Sequence, residues 1–258
     1  MPTTPAHRLR LRRALTWLVG VAAAGGLLAA CGSSDPPAPP ASLGVVLDRP
    51  VPTVPLVDEA GRAVSLASLR GKDVVLAPFL TLCQDECPLV TGAFIALQAD
   101  VAAAGLGHSV VFLGVSVDPW RDTPARLSAY SRRFGADWPL WTGTQAQLTR
   151  FWRFFGVYFA QAPEDQPAHD DWLTGAPLTF DVDHTDGFIL LDRRGHERFL
   201  TAAPPNLHGK LSPALEALLN DQGRHNLAHP PSSAWTVAQA AAAIGWLVGK
   251  DVAPPAGS

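Results

Sequence analysis

Apolar runs and turn residues alternate along the chain in the order expected of strands and helices. Asp73 to Leu80 reads as a buried strand. Pro88 then stands where a first helical residue is favoured, and Leu89, Ile95, Leu97 and Val101 supply apolar positions up to Gly105. Ser109 to Val117 is a second apolar strand, and Asp122-Thr123-Pro124 opens a helix through Phe134 with a cap residue and a proline at its start. Trp138 to Trp141 is a short strand, and Thr144 with Gln147 has the spacing of a capping box before a helix ending near Phe155. After this point the pattern changes to hairpins. Leu178 to Asp183, Gly187 to Asp192 and His196 to Thr201 read as strands, with Arg193-Arg194-Gly195 as a turn and a final helix starting at Ser212-Pro213. Ahead of all these, Asp48 to Ser65 suits an N-terminal hairpin around Asp58-Glu59-Ala60-Gly61. Alternating strand and helix units followed by a hairpin and a helix predict an α/β fold with a central mixed sheet flanked by helices.

Both ends of the chain depart from this plan. Arg8, Arg10, Arg12 and Arg13 precede an apolar run from Ala14 to Ala30, and no acidic residue lies among them, which is the shape of an export signal. The run ends in small residues before Cys31, the pattern a lipoprotein signal peptidase requires. Cys31 is therefore expected to be the lipidated first residue of the mature chain, which places the protein on the extracytoplasmic face of a bacterial membrane. An uncleaved anchor is the alternative, but the run is marginal against the ~20 residues a span needs. Residues 31–45 form a stalk rich in proline, serine and alanine, residues 46–222 the domain, and residues 223–258 an extension. Within that extension an Ala-rich segment from Trp235 to Val248 is too short to span a bilayer; it suits a helix packed on the domain.

Charge narrows the partners. Loss of the four signal arginines moves the formal net charge from −3 to −7, so nucleic acid is excluded as an expected partner. Cysteine use narrows the chemistry. With Cys31 assigned to lipid, only Cys83 and Cys87 remain, too few for a disulfide framework, and a single close pair points to redox or metal chemistry.

In Cys83-Gln84-Asp85-Glu86-Cys87-Pro88 the two thiols stand one helical turn apart, where Cβ atoms on a helix are ~5–6 Å from each other, so two sulfurs can converge on one ion. Cys87 also falls at a helix N-terminus, where unpaired N–H groups and the helix dipole favour thiolate. Soft thiolates select Cu(I) or Zn(II), and a third ligand is needed to decide. His184, in Asp181-Val182-Asp183-His184-Thr185-Asp186-Gly187, lies at a strand end beside a turn; a histidine in such a place is by itself more often a solvent-exposed loop residue. The other histidines show no metal spacing and read as surface residues. His225 and His229 would chelate if helical, but the proline after His229 argues against a helix there. Asp85, Glu86, Asp181, Asp183 and Asp186 would give a negative rim if their segments converge, the alternative being solvated loop charges.

Three separated segments resemble the SCO/SenC copper proteins of respiratory oxidase assembly: Thr81 to Pro88, Val115 to Pro124, and Asp183-His184-Thr185 leading to Leu191-Asp192. Together they run in family order from about Asp48 to Asn220. The resemblance implies a thioredoxin-like fold in which one copper ion, Cu(I) or Cu(II), is held by Cys83, Cys87 and His184, with Asp118 supporting the site or a partner surface and Asp122 and Thr123 capping a helix. It also implies a role in assembling the copper centre of cytochrome c oxidase, with the oxidase copper-binding subunit and a copper donor protein as partners. One departure is Gln84, where family members commonly carry proline, which predicts a looser turn between the cysteines.

Two functions fit these residues. The first is a copper metallochaperone, a binding protein rather than an enzyme. The second is a thiol-disulfide oxidoreductase that reduces the cysteines of the oxidase copper site. The C-x-x-x-C spacing favours the first, since thioredoxin-type redox motifs are C-x-x-C. A purely structural Cys83–Cys87 bridge is weak, because so small a loop removes little unfolded-state entropy.

Overall fold

Residues 46–252 are described by the computed structural model, so the signal run, Cys31 and the stalk lie outside the described residues. Strand β4 (Asp73–Phe79) is buried at every position, as a strand is when both faces of its sheet are covered. It pairs in parallel with β5 (Val110–Ser116), which pairs in parallel with β6 (Leu140–Thr142). On its other side β4 meets β9 (Phe188–Leu191) antiparallel, and β9 continues through β10 (His196–Thr201) to β1 (Val46–Pro50). At the opposite edge β6 pairs with β2 (Leu56–Asp58), which pairs with β3 (Ala63–Val64). The eight strands form one mixed sheet, β1-β10-β9-β4-β5-β6-β2-β3, as expected.

The stretch read as an N-terminal hairpin divides: only β2 and β3 form it, closed where Asp58 Oδ1 accepts from the Ala60 and Arg62 amides. Strand β1 crosses to the far edge to pair with β10.

The first two helices carry the parallel connections, and the third leads from β6 out of the sheet. Helix α1 (Cys87–Ala103) has Pro88 in its first turn. Helix α2 (Pro124–Phe134) is capped by Thr123 Oγ1, which accepts from the Arg126 amide, and α3 (Gln145–Phe155) begins with the Thr144–Gln147 capping box. The core between sheet and helices is aromatic: Phe94 meets both Phe112 and Trp138 edge-on. Fully buried Trp152 donates its Nε1–H to the Ser116 carbonyl, tying α3 to the end of β5.

The predicted strand at Leu178–Asp183 begins later and pairs elsewhere. Strand β8 (Asp181–His184) joins β7 (Phe159–Ala162) in a separate antiparallel ribbon, and β7 has no clear alternation to mark it, being half-buried along most of its length. The expected final helix is broken. Helix α4 (Pro213–Glu216) is a single turn, and Asn220, whose side chain accepts from the Gly223 amide, caps a new helix α5 (Asp221–Ala228). Strand β11 (Pro205–Asn206), which precedes α4, pairs in parallel with β12 (Trp235–Thr236), which follows α5, and α6 (Val237–Val248) packs against α1 and buries Ala240, Ala241, Ala243 and Ile244. Among the described residues no helix is long and apolar enough to cross a membrane.

Candidate metal centre

The centre is assembled where β4 hands over to α1. Asp122, fully buried, accepts from the Thr81 amide at 3.2 Å, the Thr81 hydroxyl at 2.6 Å and the Ser116 hydroxyl at 2.6 Å, and so joins the ends of β4 and β5 to the start of α2. The Thr81 carbonyl in turn accepts from Trp172 Nε1–H at 2.7 Å. The loop that follows is therefore launched from a fixed point. Cys87 is the first residue of α1; its amide donates to Cys83 Sγ at 3.3 Å, and the Leu80 amide donates to Cys87 Sγ at 3.5 Å. Both sulfurs thus sit against backbone amides at or beside a helix N-terminus, the environment that stabilises thiolate.

The ribbon of β7 and β8 supplies the third group. His184 pairs with Phe159 at the end of β8, and the next residue locks the ribbon: the Thr185 amide donates to the Tyr158 carbonyl, and Thr185 Oγ1 accepts from the Tyr158 amide. His184 Nδ1–H donates to the Thr185 carbonyl at 3.1 Å, which turns Nε2 toward the thiols, 3.7 Å from Cys87 Sγ. The donor atoms of Cys83, Cys87 and His184 all lie within 4.8 Å of one another. One ion can draw together a span of this size, since metal–sulfur and metal–nitrogen bonds run about 2.0–2.3 Å. Both cysteines are free and buried. Two soft sulfurs and one imidazole nitrogen fit a copper or zinc ion by donor type.

Electrostatics make the pocket hungry for a cation. Burial pushes both thiols up, Cys83 the further of the two because the Cys87 sulfur and the Asp85 charge add to it, so without a metal both keep their protons. Cys83 S–H donates to Asp85 Oδ1 at 2.7 Å. Burial alone would lower His184, but hydrogen bonding to the Cys83 sulfur and the charge of Asp186, 3.8 Å from Nδ1, lift it to about 9. Burial, then the Asp186 and Asp85 charges, raise Glu86 to about 7. A bound cation would replace protons on sulfur and nitrogen and face the three carboxyl groups.

Of the acidic cluster, Asp85, Glu86 and Asp186 gather at the centre, whereas Asp183 faces outward on β8. Asp118 is fully buried and paired with Arg121 Nε at 2.6 Å, while Arg121 Nη1 reaches the Phe180 carbonyl; it braces the loop before α2 and makes no hydrogen bond to the three donors. Thr123 caps α2 as expected, but Asp122 does not, because its carboxyl turns inward to Thr81 and Ser116. Nothing in the pattern distinguished Trp172. His108, His208, His225 and His229 are exposed, while His169 and His196 pair with Glu164 and Asp48. His225 lies in α5, but the helix ends at Ala228 and His229 is its cap with non-helical backbone, as expected of the residue before Pro230; the two exposed rings stack at 4.7 Å. The turn at Gln84 is not loose either, since its side chain donates to the Asp170 carbonyl and its own carbonyl accepts from the Asn220 amide.

The fold and the cluster define a thioredoxin-like domain with a buried centre of two thiols and one imidazole. The chain belongs to the SCO1/SenC family, whose profile matches residues 52–211. It is 27% identical over 175 residues to a Stutzerimonas stutzeri protein that carries a provisional name as copper-binding, covering 68% of this chain and 79% of that one. With the SCO1 protein homolog of Bacillus subtilis the identity is 30% over 147 residues, covering 54% of this chain and 71% of the relative. The chain spans about half the length, or less, of the mitochondrial relatives it matches. Among solved structures, a SCO1/SenC family lipoprotein of Bacillus anthracis shares the fold with a TM-score of 0.51 and 24% identity, covering 68% of this chain and 95% of that one.

Proposed function

We propose that the protein is a copper metallochaperone that holds one copper ion, as Cu(I) or Cu(II), through Cys83, Cys87 and His184, and serves assembly of the copper centre of a respiratory cytochrome c oxidase. The observation that carries this reading is the convergence of two thiols and one imidazole nitrogen in a buried pocket at a helix N-terminus. The name of the Stutzerimonas stutzeri relative agrees with it. Copper here is cargo. Cys83 and Cys87 release their S–H protons as it enters, the Leu80 and Cys87 amides steady the charge left on sulfur, and the Thr185 carbonyl keeps Nε2 turned toward the ion. Asp85, Glu86 and Asp186 favour entry of a cation. A copper donor protein loads the site and the copper-binding subunit of the oxidase empties it, both at the extracytoplasmic face of a bacterial membrane where lipid on Cys31 anchors the chain.

Reconstitution of the reduced protein with Cu(I), desalting and metal analysis tests this reading. One copper per chain is expected, with Cys83→Ser and Cys87→Ser each losing most of the affinity; a wild-type protein that elutes metal-free sinks it. The intact mass of the mature chain tests Cys31, and finding residues 1–30 still attached removes the anchor. A second reading, a thiol-disulfide oxidoreductase acting on the oxidase cysteines, is favoured by the two free thiols sharing one loop. His184 separates the two, because an imidazole adds little to a dithiol reductant yet completes a copper site. In a deletion strain His184→Ala should fail to support oxidase assembly as badly as Cys83→Ser; full rescue by His184→Ala alone would transfer the role to the reductase.

A further inference from the structure

We infer that helix α5 is the buttress that sets the geometry of the cysteine loop, with Gly223 and Asn226 as positioning residues for the two thiols. The inference deepens the copper reading and rests on it for its consequence, but not for its structural basis. Helix α5 lies beyond residue 211, where the family match ends, so it belongs to a part of the chain that the family profile does not describe.

Three successive loop residues between the cysteines are each gripped by this element. The Gln84 carbonyl accepts from the Asn220 amide at 2.8 Å. Asp85 lies under Gly223: a Cβ built on Gly223 would stand 2.9 Å from Asp85 Cα and closer still to the Gln84 carbonyl oxygen, both of them backbone atoms that cannot swing aside. Glu86 Oε1 accepts from Asn226 Nδ2–H at 2.6 Å, and Glu86 Oε2 is buried without a hydrogen-bond partner. Gly223 does not adopt a positive φ, so glycine stands there for closeness and not for backbone freedom. Its presence in a helix costs about 1 kcal/mol relative to alanine, a disadvantage that close approach to the loop explains. Positions 223 and 226 are three apart and share one face of the helix, whereas Gln222, Arg224 and His225 face solvent. The loop these contacts hold is the one that puts Cys83 Sγ against the Cys87 amide. A displacement of α5 therefore moves one sulfur relative to the other.

The test uses the full chain carrying Gly223→Ala or Asn226→Ala. In the reduced, metal-free protein the rate of alkylation of Cys83 and Cys87 by iodoacetamide and the midpoint potential of their disulfide are measured; Cu(I) affinity is measured separately by competition with a chelator. For Gly223→Ala we expect alkylation to change by about tenfold, the potential to shift, and copper affinity to fall by about tenfold, the lower end of the ~10–100-fold that losing support around a metal site costs. Asn226→Ala should move the same readouts in the same direction by less, with an unchanged far-ultraviolet circular dichroism spectrum. A role confined to stability would leave the thiol rates and potential of the folded protein where they were. If Gly223→Ala does not fold, Asn226→Ala decides. Wild-type thiol reactivity and potential in the folded variants overturn the buttress whatever the copper result. Failure of the wild-type protein itself to bind copper overturns the copper reading while the metal-free thiol measurements still judge α5.

Discussion

Asp122 shows how a residue that binds nothing can govern the site. It accepts two hydrogen bonds from Thr81, two residues ahead of Cys83, and one from Ser116, and burial followed by the charge of Asp118 lifts it to about 7. A carboxyl raised above its unfolded value of ~3.9 favours the fold when protonated. Its contribution is full below about pH 4 and is lost as pH rises through about 7. Asn at this position keeps an acceptor for Thr81 and carries no charge. Asp122→Asn should therefore fold, and denaturant titrations at pH 5 and pH 8 should show a smaller loss of stability between those values than in wild type. Asp122→Ala leaves the Thr81 amide and hydroxyl and the Ser116 O–H without an acceptor in the interior and should cost about 1–3 kcal/mol. An identical pH dependence in Asp122→Asn and wild type would show that this carboxyl does not titrate across the range. At this scale the sequence revealed what depends on spacing: the two cysteines one turn apart, the Thr123 and Thr144 caps, and His184 once three motifs were seen together. It did not reveal what depends on direction, because Asp122 could point at its own helix or into the core, and only packing decides that.

At the scale of elements, the site depends on the ribbon that carries His184 being delivered back to the main sheet. Gly187 makes that joint, between β8 and β9, at a φ of +109°. A Cβ there would overlap the carbonyl oxygen of Thr201 on β10, so the position excludes a side chain both by conformation and by contact. Gly61 provides the control: it too has a positive φ, of +76°, but nothing lies within 4 Å of a Cβ built on it. Gly61→Ala should cost on the order of 1 kcal/mol, the conformational part alone, and Gly187→Ala several times as much. Comparing the two unfolding midpoints checks this, and equal losses would mean that the β9–β10 contact yields easily. The pattern of the central strands was legible because β4, β5 and β9 are continuous apolar runs. Strand β7 was not, since its four residues are half-buried at three positions and show no alternation, and α5 was not, because it straddles the boundary expected at residue 222 and is started by the Asn220 cap rather than by an apolar period.

For the whole molecule, the C-terminal extension was legible as a packed helix but not in where it packs. The Ala-rich segment from Trp235 to Val248 was expected to be a helix packed on the domain, and α6 is that helix, but Pro230-Pro231 and the run of alanines gave no period to say which face it would cover. In the structure Trp235 is buried, meets Phe188 of central strand β9 edge-on at 4.8 Å, and donates its Nε1–H to the Ala203 carbonyl at 2.8 Å. The alanines of α6 give no amphipathic signal, yet small side chains are what let α6 lie close against α1, and Ile244 on the same helix is fully buried. Trp235→Ala should accordingly lower the unfolding free energy by about 3–5 kcal/mol, the usual cost of emptying a large aromatic site. Ending the chain after Asn220 removes α5, β12 and α6 together, leaving Phe188 and one face of α1 open to water. We expect that truncation to lower the denaturation midpoint by more than Trp235→Ala does, and to bind a dye specific for exposed apolar surface. A truncated chain with the wild-type midpoint would show that residues 221–258 are separable from the domain, and would leave the cysteine loop to hold its shape without α5.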